Sequence, residues 1–187
     1  MIAILDANVL YPAPLRDFLM HLANVKLYQP KWSAQIQEEW VRNLLIKRPD
    51  LNMNGIKRAV DLMNEIFPDA NVNGFGNLID GLDLPDPDDR HVLAAAIKSK
   101  SKFIITHNLK DFPNTVLKDF NITILHPDDF VLELIENNDV LVIEAFMNQV
   151  KKLKNPSRKV PEVLDTLYNQ GLKKTVEQIK VKLKIFD

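Results

Sequence analysis

The chain contains no cysteine, which excludes disulfides and thiolate metal sites and is in keeping with a reducing cytoplasm. Long apolar runs are missing too. Stretches such as FII at 103–105 and VLVI at 140–143 fall far short of the roughly 20 residues a membrane span needs. The opening MIAILDANVLYP has neither the basic n-region nor the long apolar h-region of a secretory signal, and it sets an acid at position 6. No large excess of one charge exists either: the net charge of −1 predicts neither nucleic-acid binding nor its absence.

What is present is the composition of a globular protein, 46% hydrophobic and 26% charged over 187 residues. That length fits one domain with an appendage, or two very small domains. Charge is unevenly spread. Residues 139–187 hold ten Lys/Arg against six Asp/Glu, a net of +4, whereas residues 1–138 carry a net of −5. An acidic body and a basic tail imply different tasks.

Short apolar or β-branched runs at 2–5, 24–28, 102–105 and 122–125 read as strands, the second closed by Pro30. Helical patterns lie between them, at 15–22, from an N-cap at Ser33 to about Lys47, at 56–67, and from Asp88 or Asp89 through HVLAAAIKSK. The 71–82 stretch has room for one more short strand. This alternation predicts an α/β fold with a mainly parallel central sheet flanked by helices. Helices are expected from Pro127, over 140–153 and over 161–185, with a break at Gly171. The expected division is therefore a domain at 1–137 and a helical C-terminal extension at 138–187. On that extension Val140, Ile143, Phe146, Met147 and Val150 form the expected buried stripe.

Ligands of an open parallel sheet bind beyond the carboxyl ends of its strands, and polar residues recur there. Asp6 ends the first strand; Thr106, Asn108 and Asp111 follow the strand at 103–105; Asp89 opens the helix before that strand; Glu39 lies on the helix after the second. Clustered carboxylates raise one another's pKa and call for a cation. Oxygen donors in such numbers suit Mg²⁺ or Mn²⁺, which keep waters and bind phosphate oxygens. Each residue also has an ordinary role open to it: Asp6 in a turn, Glu39 beside Glu38 on a helix surface, Asp111 before Pro113. In the acidic loop Asp88 reads as the helix cap and Asp89 as the ligand. His91 and His107 show no metal-ligand spacing and read as scaffold or surface. Lys110 and Arg90 can meet phosphates or balance the acids.

Taken in order, LDANVLYP, WSAQIQEEW, DPDDRHVLAAAI and IITHNLKDF resemble the motifs of the PIN-domain family, in particular its VapC-like toxin branch. The resemblance covers residues 1 to about 127. It implies a Rossmann-like sheet and Mg²⁺- or Mn²⁺-dependent endoribonuclease activity. Asp6 and Asp89 would be the metal ligands, Glu39 and Asp111 would complete the catalytic set, Thr106 would orient a ligand or water, and Asn8 would support Asp6. In many relatives the position of Asn108 is Asp, which leaves the number of metals open. The resemblance further implies an RNA substrate, a small antitoxin protein as partner, and a homodimer.

Other classes fit less well. An aspartyl phosphatase of the haloacid dehalogenase type has a D-x-D pair after its first strand, but Asp6 is followed by Ala7 and Asn8. A non-toxin RNA-processing nuclease, or a module that binds RNA or protein without cutting, remains open on the residues alone.

Overall fold

The IAIL run (β1, Ile2–Leu5) is apolar on both faces because it is interior to a sheet covered on both sides: Ala3, Ile4 and Leu5 are fully buried. A computed structural model describes residues 1–185. After β1 come α1 (Ala7–Leu10), α2 (Ala13–Asn24), β2 (Gln29–Lys31), α3 (Ala34–Lys47), α4 (Met53–Ile66), α5 (Gly76–Ile79), α6 (Arg90–Lys98), β3 (Phe103–Ile105), α7 (Asn114–Leu117) and β4 (Thr123–Leu125). Three more helices close the chain, α8 (Pro127–Lys152), α9 (Val160–Asn169) and α10 (Lys173–Leu183). The four strands are all parallel, in the order β2-β1-β3-β4. The protein is thus an α/β fold with helices flanking a parallel sheet and a helical extension at the C-terminal end.

Several helix starts are fixed by short-range chemistry. The Ser33 hydroxyl accepts the Ile36 N–H and starts α3, whose apolar positions Ile36 and Trp40 are fully buried. The second strand departs from expectation. Residues 24–28 finish α2 and turn through Lys26 at φ 66, and the strand is Gln29–Lys31 with Pro30 inside it. Pro30 is tolerated because β2 is an edge strand, with only β1 beside it in the sheet. In the 71–82 stretch the structure holds an isolated parallel bridge, Trp32 to Asn71. The acidic loop also differs. Asp86, not Asp88, is the cap, its Oδ1 accepting the Asp88 N–H at 2.9 Å before a 3₁₀ turn at Pro87–Asp89.

The chain forms two compact units. The first comprises Met1–Tyr11 and Gln29–Leu125 and contains the sheet. The second comprises Pro12–Tyr28 and the residues from His126 onward, and is helical. In the second, α2 packs on α8 through an edge-on Phe18–Phe146 pair with centroids 6.3 Å apart, and Gln149 Nε2 donates to Pro14 O at 3.0 Å. The α8 helix is kinked at Asn138, whose backbone is extended and whose side chain accepts the Leu141 N–H. Beyond the kink the buried stripe is Val142, Ala145, Phe146 and Gln149, while Ile143, Met147 and Val150 are half-buried and Val140 is 72% exposed. Asp128 is buried and caps α10, accepting the backbone N–H groups of Lys174 at 3.0 Å and Thr175 at 2.8 Å.

Candidate active site

A sheet ordered 2-1-3-4 reverses its winding between strands 1 and 3, and that reversal opens a crevice at the carboxyl edge. The register Leu5 to Ile105 sets the next residues, Asp6 and Thr106, side by side at that crevice. Both are buried.

A closed hydrogen-bond triangle holds them. Thr106 Oγ1 donates to Asp6 Oδ2 at 2.6 Å, and Asn8 Nδ2 donates to both Asp6 Oδ2 at 2.6 Å and Thr106 Oγ1 at 2.8 Å. The Asn8 amide cannot be reversed, because its Oδ1 accepts the His107 N–H at 3.0 Å. The Asn108 N–H donates to Thr106 Oγ1 at 3.0 Å, which completes that hydroxyl's one donor and two acceptors. Asp6 Oδ1 accepts the Ala7 N–H at 2.6 Å. Three of the carboxylate's four lone-pair positions are therefore used, and one on Oδ1 remains. Burial pushes the Asp6 carboxyl above its ordinary range in spite of the bonds from Thr106 and Ala7, and the Glu39 charge adds to the rise.

The other acids gather around it. A crossover helix runs against the strands, so the start of α6 lies at the carboxyl edge, and Asp89 occupies it with no side-chain capping bond. Burial lifts the Asp89 carboxyl to about 7, and the charges of Asp6, Asp86 and Asp111 add to this while His91 opposes it. Asp111 ends a 3₁₀ turn at Leu109–Asp111, after β3. On α3, Glu38 is exposed, whereas Glu39 is half-buried with Oε1 3.0 Å from His91 Nε2. That contact has an ion-pair distance without hydrogen-bond alignment, and His91 is 3% exposed. Asp6, Glu39, Asp89 and Asp111 thus fall within one electrostatic neighbourhood, with His91 among them. Asn108 and Lys110 are exposed at its margin.

Beside Glu39 and Asp89 lies a polar cavity of about 360 Å³, which Gln35, Arg42, Asn43 and Asp88 also line. Sequence reading passed over Gln35, Arg42 and Asn43. The signal was present, since positions four before and three and four after Glu39 share its helix face. Among the described residues, no three His, Asp or Glu side chains form a ready-made metal cage.

Comparison with known proteins decides the family. A PIN-domain model matches residues 3–110, more than half of the chain, from within β1 to beyond β3. The chain belongs to the PIN-domain family. Within it, the likeness is to the VapC50-like branch: a model described as the VapC50 C-terminal domain matches residues 127–181 of this PIN protein. A protein of Mycobacterium tuberculosis, described as "Putative ribonuclease VapC50", is 38% identical over 82 residues, which are 44% of this chain and 48% of that protein. The match spans about half the length of that relative. No solved structure matches this PIN protein. No described helix is long and apolar enough to cross a membrane.

Proposed function

We propose that this PIN protein is a Mg²⁺- or Mn²⁺-dependent endoribonuclease, the toxin of a toxin–antitoxin pair, acting in the cytoplasm and restrained by a small antitoxin protein. The observation that carries the reading is the convergence of Asp6, Glu39, Asp89 and Asp111 at the sheet's winding reversal, where Asp89 is driven to about 7. Such a cluster is relieved by a cation.

The donor set suits a hard, hydrated ion held by one or two carboxylates rather than a full protein cage. Asp6, with one lone-pair position left on Oδ1, and Asp89, with no capping bond, would hold it. Bound there, the ion supplies Lewis acidity and a water acidified toward neutral pH. The chain's own residues orient and exclude. Thr106 and Asn8 lock the Asp6 carboxylate, and Asn108 through its N–H and His107 through its N–H lock them in turn. Glu39, steered by His91, faces the same cavity as Asp89 and stands ready to take a proton from an attacking water. Asp111 shares the negative field.

The test is cleavage of labelled RNA by the purified chain with Mg²⁺ or Mn²⁺ and with EDTA, together with growth of cells expressing it. Metal-dependent cleavage and a growth arrest lifted by Asp89→Asn are expected. Full cleavage in EDTA would overturn the metal reading, and normal growth alongside active enzyme would overturn the toxin assignment.

A further inference from the structure

The cavity beside the acids contains one cation. Gln35, Glu39, Arg42 and Asn43 project from one face of α3, and Asp88 and Asp89 close the opposite side. Its volume of about 360 Å³ lies in the range of small-molecule sites and is room enough for one nucleotide unit. Its chemistry is uneven. Three carboxylates repel any phosphate, so one entering the cavity needs a positive group. Arg42 is exposed, forms no ion pair among the described residues, and stands three residues after Glu39. A guanidinium beside three acids yet paired with none is available for a ligand, and its planar fork matches two phosphate oxygens. Gln35 and Asn43 flank it with amides that both donate and accept, as nucleotide edges require.

Resting on the ribonuclease reading, we infer that this cavity is a subsite for one nucleotide of RNA next to the cleaved bond, with Arg42 gripping its phosphate. Arg42 acts here as a substrate-binding group and not in proton transfer.

The experiment separates binding from turnover. On the Asp89→Asn background, affinity is measured for a labelled mixed-sequence single-stranded RNA across a salt series in Mg²⁺. Arg42→Gln should weaken single-strand binding about tenfold. It should also flatten the salt slope by about 0.7, as one phosphate goes unneutralised. Arg42→Lys should recover part of the affinity. Arg58→Gln, the same charge change at an exposed position on α4, should stay within about twofold. In the cleaving protein, Arg42→Gln should raise KM and leave kcat nearly unchanged. Unchanged affinity and slope for Arg42→Gln, or no RNA binding at all, would each overturn the subsite. Failure of the wild-type chain to cleave while these binding differences persist would instead overturn the nuclease reading alone.

Discussion

Thr106 gives its hydroxyl proton to Asp6 Oδ2 across 2.6 Å, joining two buried residues that stand 100 positions apart in the chain. The bond holds a carboxylate that burial otherwise drives toward its neutral form. Thr106→Val keeps the shape and deletes the donor. It should cost about 1–3 kcal/mol in chemical denaturation, because a buried acceptor is left short. RNA cleavage should fall with it, and Thr106→Ser should restore most of both. A fully stable and active valine variant would show that Asp6 is held by Asn8 and Ala7 alone.

Asp89→Asn should separate activity from stability. Cleavage should fall by more than about a hundredfold, because a ligand charge is removed. In the absence of divalent cation the same change relieves the repulsion from Asp6, Asp86 and Asp111, so the melting temperature should rise. Melting curves in EDTA and activity in Mg²⁺ check the two halves. A variant that is both inactive and less stable in EDTA would contradict the repulsive cluster.

The same group sets a pH dependence. Asp89 titrates near 7 in the folded chain against its ordinary 3.8, so between those values the folded state keeps a proton that the unfolded chain has released. Its contribution to stability is greatest below about 4 and is lost as pH rises toward 7. Because the side chain is half-exposed, solvent screening limits the effect to about 1 kcal/mol, or roughly 2–4 °C in Tm. Mg²⁺ should abolish the decline by neutralising the charged form. Comparing Tm at pH 5 and pH 8, in EDTA and in Mg²⁺, for wild type and Asp89→Asn, isolates this residue from other carboxylates. An equal decline in the Asn variant would assign it elsewhere.

In the helical unit, Asp128 accepts two backbone N–H groups from the first turn of α10. Asp128→Ala leaves both without that partner and should cost about 2 kcal/mol. Amide hydrogen exchange at Lys174 and Thr175 should quicken more than in α3, which has its own cap. Unchanged exchange at those two amides would remove Asp128 from the role.

The basic segment at 151–159 gives a last test. Lys174 and Lys182 are paired with Asp129 and Asp139. Lys151, Lys152, Lys154, Arg158 and Lys159 are exposed and form no ion pair among the described residues. If they meet RNA phosphates, neutralising Lys151, Lys152, Lys154 and Lys159 together should weaken RNA binding at low salt. The salt slope should flatten by about 0.7 for each phosphate no longer neutralised. An unchanged slope would leave this segment outside RNA recognition.

What the sequence disclosed, it disclosed through local chemistry. Ser33 announces α3 because its hydroxyl acts three residues ahead, and Asp6 stands out because an acid closing an apolar strand needs partners. Asp86 was legible in principle: a proline at the first helical position sets the cap just before it, at Asp86 and not at Asp88. β2 was not, since three residues around Pro30 become a strand only through pairing with β1. The misplaced stripe on α8 has another origin: the expectation followed the large apolar residues, whereas the buried face takes in small Ala145 and polar Gln149, whose Nε2 donates to the Pro14 carbonyl. The burial of His91 against Glu39 depends on the meeting of α3 and α6, which no spacing within either segment encodes.

The helical unit takes its first segment from residues 12–28 and the rest from beyond residue 125. On a ribosome, α2 emerges early with Leu15, Phe18, Leu19 and Leu22 uncovered, while the α8 residue that binds Pro14, Gln149, is made 135 positions later. Throughout that interval the sheet with its carboxylates can be completed, as its last strand ends at Leu125. Translation therefore finishes the acidic centre first and leaves α2 as an apolar segment awaiting its mate, the point at which a nascent chain is most open to chaperone capture or to aggregation.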